Sequence, residues 1–444
     1  MASTYLSKTY GSAGNKQRQA ISVWVKRAKL GDTQTIFWSN GGASYYAHLR
    51  FKSDDTIQYY AHNVCNLKTN RKFRDTNAWY HICVTLDTPQ STESDRLKIY
   101  VNGVAETSFS TATYPSQNAE VKFADDNIHY IGQSDSGSYF DGSMSHFHFV
   151  TNTAYAASTF GSTDSTTGEW KINTSPTVTY ATNSFFVLKD GNSGTDQSGQ
   201  GNNYSVGGGT LTKTEDSPSN VFATLNPLAP FGGNSSPVLA NGNTTLDTTA
   251  SNGNKGMFLS SLGMTQGSGK FYCEIKPTTV TRFSAGICNK NTFLSSSSIE
   301  SQTNQAGVVY YYSGSIYYDN NGTVSGGVSL SDNDILGIAL DMENNRLFFH
   351  KNGTYINSGD PTSSTGNVLT FTNASQYLTN HEEMFFFVAD TSTSGVAKSQ
   401  VNFGNGYFGT TAVSSAGANA SGNGIFEYDV PTGYTALSTK GLNL

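Results

Sequence analysis

Two stretches of this 444-residue chain follow the same rule. In the first, Tyr80, Ile82, Val84 and Leu86 alternate with Trp79, His81, Cys83 and Thr85. Asp87 then opens a turn, and Arg96-Leu-Lys-Ile-Tyr-Val101 returns into Asn102-Gly103. In the second, Asp334-Ile-Leu-Gly-Ile-Ala-Leu-Asp341 runs into Asn344-Asn345, and Arg346-Leu-Phe-Phe-His-Lys351 returns into Asn352-Gly353. Alternation with period two marks a strand, and Asn-Gly accepts the positive φ of a tight hairpin. Arg96, Leu97, Asn102 and Gly103 recur as Arg346, Leu347, Asn352 and Gly353, each set after a Leu-Asp pair. Bulky groups on both faces near Trp79 suit an inner strand of a sandwich.

Composition narrows the rest. Charged residues are only 14%, which excludes a coiled coil or long helical bundle. Aromatics reach 12%, with 25 Tyr and 26 Phe, far too many for a disordered chain. The expected fold class is all-β: two concanavalin-A-like antiparallel β-sandwich (jelly-roll) domains in tandem. Between about 191 and 254 the alternation dissolves into Gly, Asn, Ser and Pro, with the boundary near 210–220. The expected layout is an N-terminal arm at 1–20, a sandwich at 21–190, a connecting segment at 191–254 and a second sandwich at 255–444.

Several functions are disfavoured. A net charge of -6 does not suit a protein held to nucleic acid by phosphate contacts. Lys68, Arg71, Lys72 and Arg74 cluster, but without interleaved aromatics they read as a solvated loop. No apolar run is long enough for membrane insertion, and residues 1–20 lack the apolar core of a signal peptide. Cys65, Cys83, Cys273 and Cys288 form no C-x-x-C pair and read as free thiols. Gly404-Asn-Gly406-Tyr-Phe-Gly409 matches a dinucleotide fingerprint formally, but no helical stripe follows it, so no cofactor is expected. No G-x-S-x-G or H-E-x-x-H occurs. His146 and His148 share a strand face without a nameable third metal ligand. Asp54-Asp55, Asp125-Asp126 and Glu382-Glu383 lack the strand pattern of paired glycosidase carboxylates. Asp125-Asp126 suit turn capping better than calcium.

Consecutive tyrosines remain: Tyr45-Tyr46, Tyr59-Tyr60, Tyr310-Tyr311-Tyr312 and Tyr317-Tyr318. In a strand half of each set must face away from the core. Exposed Tyr suits contact with carbohydrate or protein, because the ring stacks while the hydroxyl hydrogen-bonds. The rings at 310–318 surround a short turn, and the loops at 289–306 and 357–380 are long and nearly uncharged. Outward presentation of the second domain, with anchoring through the first, is the expected polarity.

Residues about 19–190 resemble laminin-G/concanavalin-A-like domains through Ser22-Val-Trp-Val-Lys-Arg27, Arg74-Asp-Thr-Asn-Ala-Trp-Tyr-His-Ile82, Lys98-Ile-Tyr-Val-Asn-Gly103 and Phe140-Asp-Gly-Ser-Met-Ser-His-Phe-His-Phe149. Residues about 255–444 resemble a SPRY-like sandwich through Gly269-Lys-Phe-Tyr-Cys-Glu274, Asp334-Ile-Leu-Gly-Ile338, Lys351-Asn-Gly353 and Val401-Asn-Phe-Gly404. The linking motifs Phe160–Trp170, Asp196–Asn203, Asp216–Pro227 and Val430–Thr439 resemble modules of structural proteins of marine bacteriophages. That resemblance implies a non-enzymatic virion protein, a tail fibre or surface appendage adhering to host cell-surface glycan. It also implies other virion proteins as partners, assembly in a host cytoplasm, and a homo-oligomer with a trimer favoured. A capsid decoration or tail adaptor is the alternative within that class, and a glycan depolymerase the alternative outside it.

Overall fold

The computed structural model describes residues 3–134, 137–189, 193–228, 238–248, 256–289, 307–318, 322–370, 383–390 and 396–443. Two compact units emerge: Met1–Lys213 with Ser217–Ser219, and Thr214–Asp216 with Asn220–Leu444. Each is a sandwich of two sheets whose main ladders are antiparallel. No helix among the described residues is long and apolar enough to cross a membrane.

In the first unit an eight-stranded sheet runs Phe109–Thr113, Cys65–Lys72, Thr56–Ala61, Tyr46–Phe51, Gln34–Asn40, Ile128–Ile131, Tyr5–Thr9, Ser205–Gly208. A six-stranded sheet runs Phe185–Val187, Gly142–Thr151, Arg18–Arg27, Trp79–Asp87, Leu97–Val101, Val104–Ala105. Phe37, Leu49 and Tyr59 from the first meet Val23, Ile82 and Phe147 from the second in one core. In the second unit the larger sheet centres on Lys398–Asn402, Lys270–Thr279, Leu336–Asp341 and Arg346–Lys351. The smaller sheet runs Met257–Leu259, Met384–Asp390, Phe283–Asn289, Gly307–Tyr311, Ile316–Tyr318, Gly322–Val324. Phe271, Ile338 and Phe349 pack there against Ile287, Val308 and Phe386.

The shared hairpin signal has a shared physical basis. Asn102 and Gly103 have φ of 48° and 78°, Asn352 and Gly353 of 49° and 81°. The turns join Leu97–Val101 to Val104–Ala105 and Arg346–Lys351 to Thr354–Tyr355. Each asparagine Oδ1 accepts a backbone N–H near the start of the neighbouring strand, from His81 at 2.8 Å and Ile335 at 2.7 Å. A Cβ on Gly103 would lie 2.3 Å from the Trp170 ring, so glycine is required twice over. Arg96 itself closes a one-turn helix, Glu93–Arg96, rather than opening the return strand.

The layout differs from the expected one at both ends of the first sandwich. The described part of the expected 1–20 arm is built into the sheet: Tyr5–Thr9 is a full strand between Ile128–Ile131 and Ser205–Gly208. Leu6 is buried in the core, and the Tyr10 hydroxyl meets that of Tyr204 at 3.4 Å. The Gly/Asn-rich run after 191 does not connect two bodies throughout. Asp196 folds it back by accepting N–H groups from Phe186, Ser198 and Asn202. Ala223, Leu225 and Leu246, also expected in the connecting segment, lie in the second core. Polar side chains bonded to backbone do the work of packing there, which removes the alternation that marks a strand.

If Tyr5–Thr9 is structural, Leu6→Ala empties a core site and lowers the stability of the first unit by about 2–5 kcal/mol in urea unfolding. A free arm would leave the midpoint unchanged.

Candidate functional site

Each sheet also has an outer face, and three of the four carry apolar clusters. Ala20, Cys83 and Val150 on the first unit's six-stranded sheet lie beneath Ala157, Phe160 and Trp170. Tyr272, Ala339 and Phe348 lie beneath Phe426, Val430 and Tyr434. Met257, Leu259, Phe387 and Ala389 form the third cluster. The outer face of the eight-stranded sheet carries rings and polar groups instead.

Register builds that face. Ser7, Tyr130, Trp38, His48, Tyr60, Asn66 and Thr113 are cross-strand partners in one row over seven strands. Neighbouring strands lie about 4.8 Å apart, close to ring-stacking distance. Trp38 accordingly stacks on Tyr130, and His48 on Tyr60, both with centroids 5.1 Å apart. Tyr46 lies 5.7 Å from Tyr60 and 5.2 Å from His62 in the adjoining row. Trp38 and His48 are buried in the stack, while Tyr46, Tyr60, His62 and Tyr130 keep partial exposure. On the other side lie Arg50, Gln58 and Lys68, again direct partners. Both Nε and Nη2 of Arg50 donate to Gln58 Oε1, at 3.0 and 2.9 Å. Asp54 accepts from Lys68 Nζ and Thr56 Oγ1, both at 2.6 Å, and these donors outweigh its desolvation and hold it well below the usual carboxylate range.

Tyr45 and Tyr46 part company at the sheet edge. Tyr46 joins the ring platform, whereas Tyr45 donates its hydroxyl to Asp125 and lies under Lys122 Nζ, 3.7 Å from the ring centroid. Asp125 also faces Lys16 at 3.7 Å and accepts from the Asp126 N–H, so it ties down a turn. Tyr59 points into the core and Tyr60 outward, as alternation requires.

The second unit's tyrosines do not form an exposed set. Tyr310 is fully buried against Phe349, its hydroxyl donating to Val328 O at 2.6 Å and accepting the Val328 N–H at 2.9 Å. Tyr311 is buried on the opposite face, edge-on to Tyr317. Tyr312 and Tyr318 pack partly against the core, leaving Tyr317 exposed at 41%. A hydroxyl that folds back onto its own loop lets tyrosine serve as a core residue, so a run of tyrosines overstates exposure. Residues 290–306, 371–380 and Glu382 lie outside the described residues.

Other candidate chemistry resolves into structure. His148 stacks on Phe186 at 3.8 Å and meets the Tyr180 hydroxyl at 2.7 Å, while His146 sits at a bulge with φ of 47°. Among the described residues no group of three His, Cys, Asp or Glu could hold a metal. Gly404 and Gly406 donate to Asn402 Oδ1 in a turn rather than opening a helix. Lys68, Arg71 and Arg74 pair with Asp54, Glu106 and Asp55. All four cysteines are buried free thiols, and burial pushes those of Cys65 and Cys83 up to about 12.

One pair absent from the sequence motifs is Ser22 and His81, 2.8 Å apart and buried. Trp170 Nε1 donates to His81 Nδ1 at 3.0 Å, and an indole can only donate. The proton of the neutral imidazole therefore sits on Nε2 and is given to Ser22 Oγ. An imidazole donating to a hydroxyl cannot also take its proton, so this is no activated nucleophile.

A laminin G family model described as Concanavalin A-like lectin/glucanases superfamily matches residues 3–158. No curated protein matches the chain. Among solved structures, the SPRY domain of human HERC1 is 18% identical, covering 40% of this chain and 96% of that one, with a TM-score of 0.30. A heptameric SAP-like pentraxin from Limulus polyphemus is 15% identical, covering 42% and 89%, with a TM-score of 0.28. Domain 4 of AbnA, a GH43 extracellular arabinanase from Geobacillus stearothermophilus in complex with arabinotriose, is 15% identical, covering 34% and 72%, with a TM-score of 0.25.

Burial pushes His48 and His81 down from 6.5 to about 3 and His129 to about 4, and it holds His148 well below its ordinary value. The stability these neutral imidazoles contribute is intact above pH 6.5 and drains away as the pH falls toward 3. In the second unit His350 behaves likewise, but Glu274 is pushed up to about 7 by burial. Its contribution runs the other way, full below about pH 4.5 and lost as the pH rises through 7. Calorimetry from pH 7 to 5 is therefore expected to lower the first unit's transition more than the second's. Equal shifts would contradict these assignments.

Proposed function

We propose that this protein is a non-enzymatic glycan-binding protein, and that the open face of the eight-stranded sheet in the first unit is where a saccharide docks. The observation that carries the reading is a pair of adjoining rows that leaves Tyr130, Tyr60, Tyr46 and His62 partly exposed, on the face without an apolar cluster. Flat rings with hydroxyl tips accept the apolar face of a sugar while hydrogen-bonding its edge. A lectin/glucanase family match over residues 3–158 supports a sugar as the ligand. Binding is favoured over cleavage because Asp54, the carboxylate beside the row, is held ionised by Lys68 and Thr56 and so cannot act as a general acid. Recognition is thereby assigned to the first unit, the reverse of the polarity expected from the tyrosine runs.

The finer setting rests on the motif resemblance in the linking segments: a virion appendage of a phage, adhering to host-surface glycan among other virion proteins, with a trimer favoured. Immunogold labelling of intact particles tests the location. A light-scattering mass near one chain's 47.7 kDa at micromolar concentration would remove the trimer.

For the binding reading, Tyr60→Ala in the full chain is expected to weaken saccharide binding about tenfold, equivalent to about 1.4 kcal/mol. Tyr317→Ala should leave it unchanged. Loss of binding on changing Tyr317 alone would move the site to the second unit.

A further inference from the structure

The chemistry of the saccharide follows from two cations beside the rings. Arg50 lies on the outer side of the strand that carries Tyr46 and His48, and Lys52 follows directly after its last residue, Phe51. Both are half-buried, and among the described residues no carboxylate lies within ion-pairing distance of either. Elsewhere the chain matches such charges: Arg27 and Arg74 share Asp55, Arg18 pairs with Asp87 and Arg71 with Glu106. Around Arg50 there are amides instead. Gln58 Oε1 takes two of its N–H groups, and Gln58 Nε2 is fixed in turn by Asn66 Oδ1 at 2.8 Å. This arrangement orients a guanidinium without neutralising it. The nearby acid, Asp54, is already bound to Lys68. Withdrawing a cation from water without a counter-charge is unfavourable; burial lowers the proton affinity of Arg50 with no acid offsetting it, and that of Lys52 with Asp54 offsetting it only in part.

Building on the glycan-binding reading, we infer that the ligand is an acidic glycan, whose carboxylate or sulfate pairs with Arg50 while a sugar ring stacks on Tyr60 and Tyr46. A guanidinium fork held in one plane suits either anion. A nucleic acid fits less well, since two unpaired cations on a chain of net charge -6 are few against one phosphate per nucleotide.

Calorimetric titration of the full chain with an oligogalacturonate, a sulfated galacto-oligosaccharide, a neutral galacto-oligosaccharide and a single-stranded oligonucleotide tests the inference. At least one acidic saccharide is expected to bind about tenfold or more tightly than the neutral one, and to weaken as salt is added. Which acidic probe binds tells carboxylate from sulfate. Arg50→Gln should abolish the preference and Lys52→Gln reduce it, with melting temperatures unchanged. Equal binding of neutral and acidic saccharides, or a preference that survives Arg50→Gln, overturns the inference and leaves the ring platform standing. Binding of the oligonucleotide but of no saccharide overturns both.

Discussion

A strand in a sandwich has two faces, and only one can meet the opposing sheet. The other must be covered by further chain or made compatible with water. This constraint organises both units. The segment around Tyr155–Tyr180 and the C-terminal run through Phe426–Ala436 lie over the sheets, the latter joining the larger one only through Thr435–Ala436. They are coverings for outer faces that would otherwise leave Cys83, Val150 or Phe348 in water. The eight-stranded sheet met the same requirement differently, with rings stacked at the inter-strand spacing and amides holding a guanidinium. That choice leaves the first unit a face of partly exposed rings.

Covering the other faces buries polar groups, and these were matched locally. Glu274 is the clearest case. It accepts from the backbone N–H groups of Glu427 and Tyr428, at 2.9 and 2.8 Å, and from the Tyr272 hydroxyl at 3.1 Å. The carboxylate therefore fastens the C-terminal covering to the sheet. Ser22, His81 and Trp170 form the corresponding contact in the first unit. These clusters resemble catalytic groupings in composition. Their donor and acceptor directions, together with complete burial, make them fasteners.

Much of this was legible in the sequence. Alternation through Trp79–Asp87 and Leu336–Asp341, with Asn-Gly at 102 and 352, announced two sandwiches, because each signal spans only a few neighbouring residues. Tyr5–Thr9 and Ser205–Gly208 were not legible as strands, since both are short segments at one end of the sheet whose pairing partners lie over a hundred residues away. The platform was half visible. Tyr46-Ala-His48-Leu-Arg50 and Gln58-Tyr-Tyr60-Ala-His62 alternate ring or polar with core residues, which gives an outward set on each strand. Only register shows that Tyr130, Trp38, His48 and Tyr60 stand in one row, and register depends on long-range pairing. The tyrosines at 310–312 misled because a buried phenol can bond its own loop, which composition does not reveal.

The central claim is that the ring row of the first unit is the ligand surface. A crystal structure of the full chain with a bound acidic oligosaccharide addresses it without relying on any substitution. A sugar ring is expected over Tyr46 and Tyr60, with an anionic group at the guanidinium of Arg50. A saccharide found instead against Tyr317 of the second unit, or on the Tyr45–Asp125 turn with the row left bare, would contradict it.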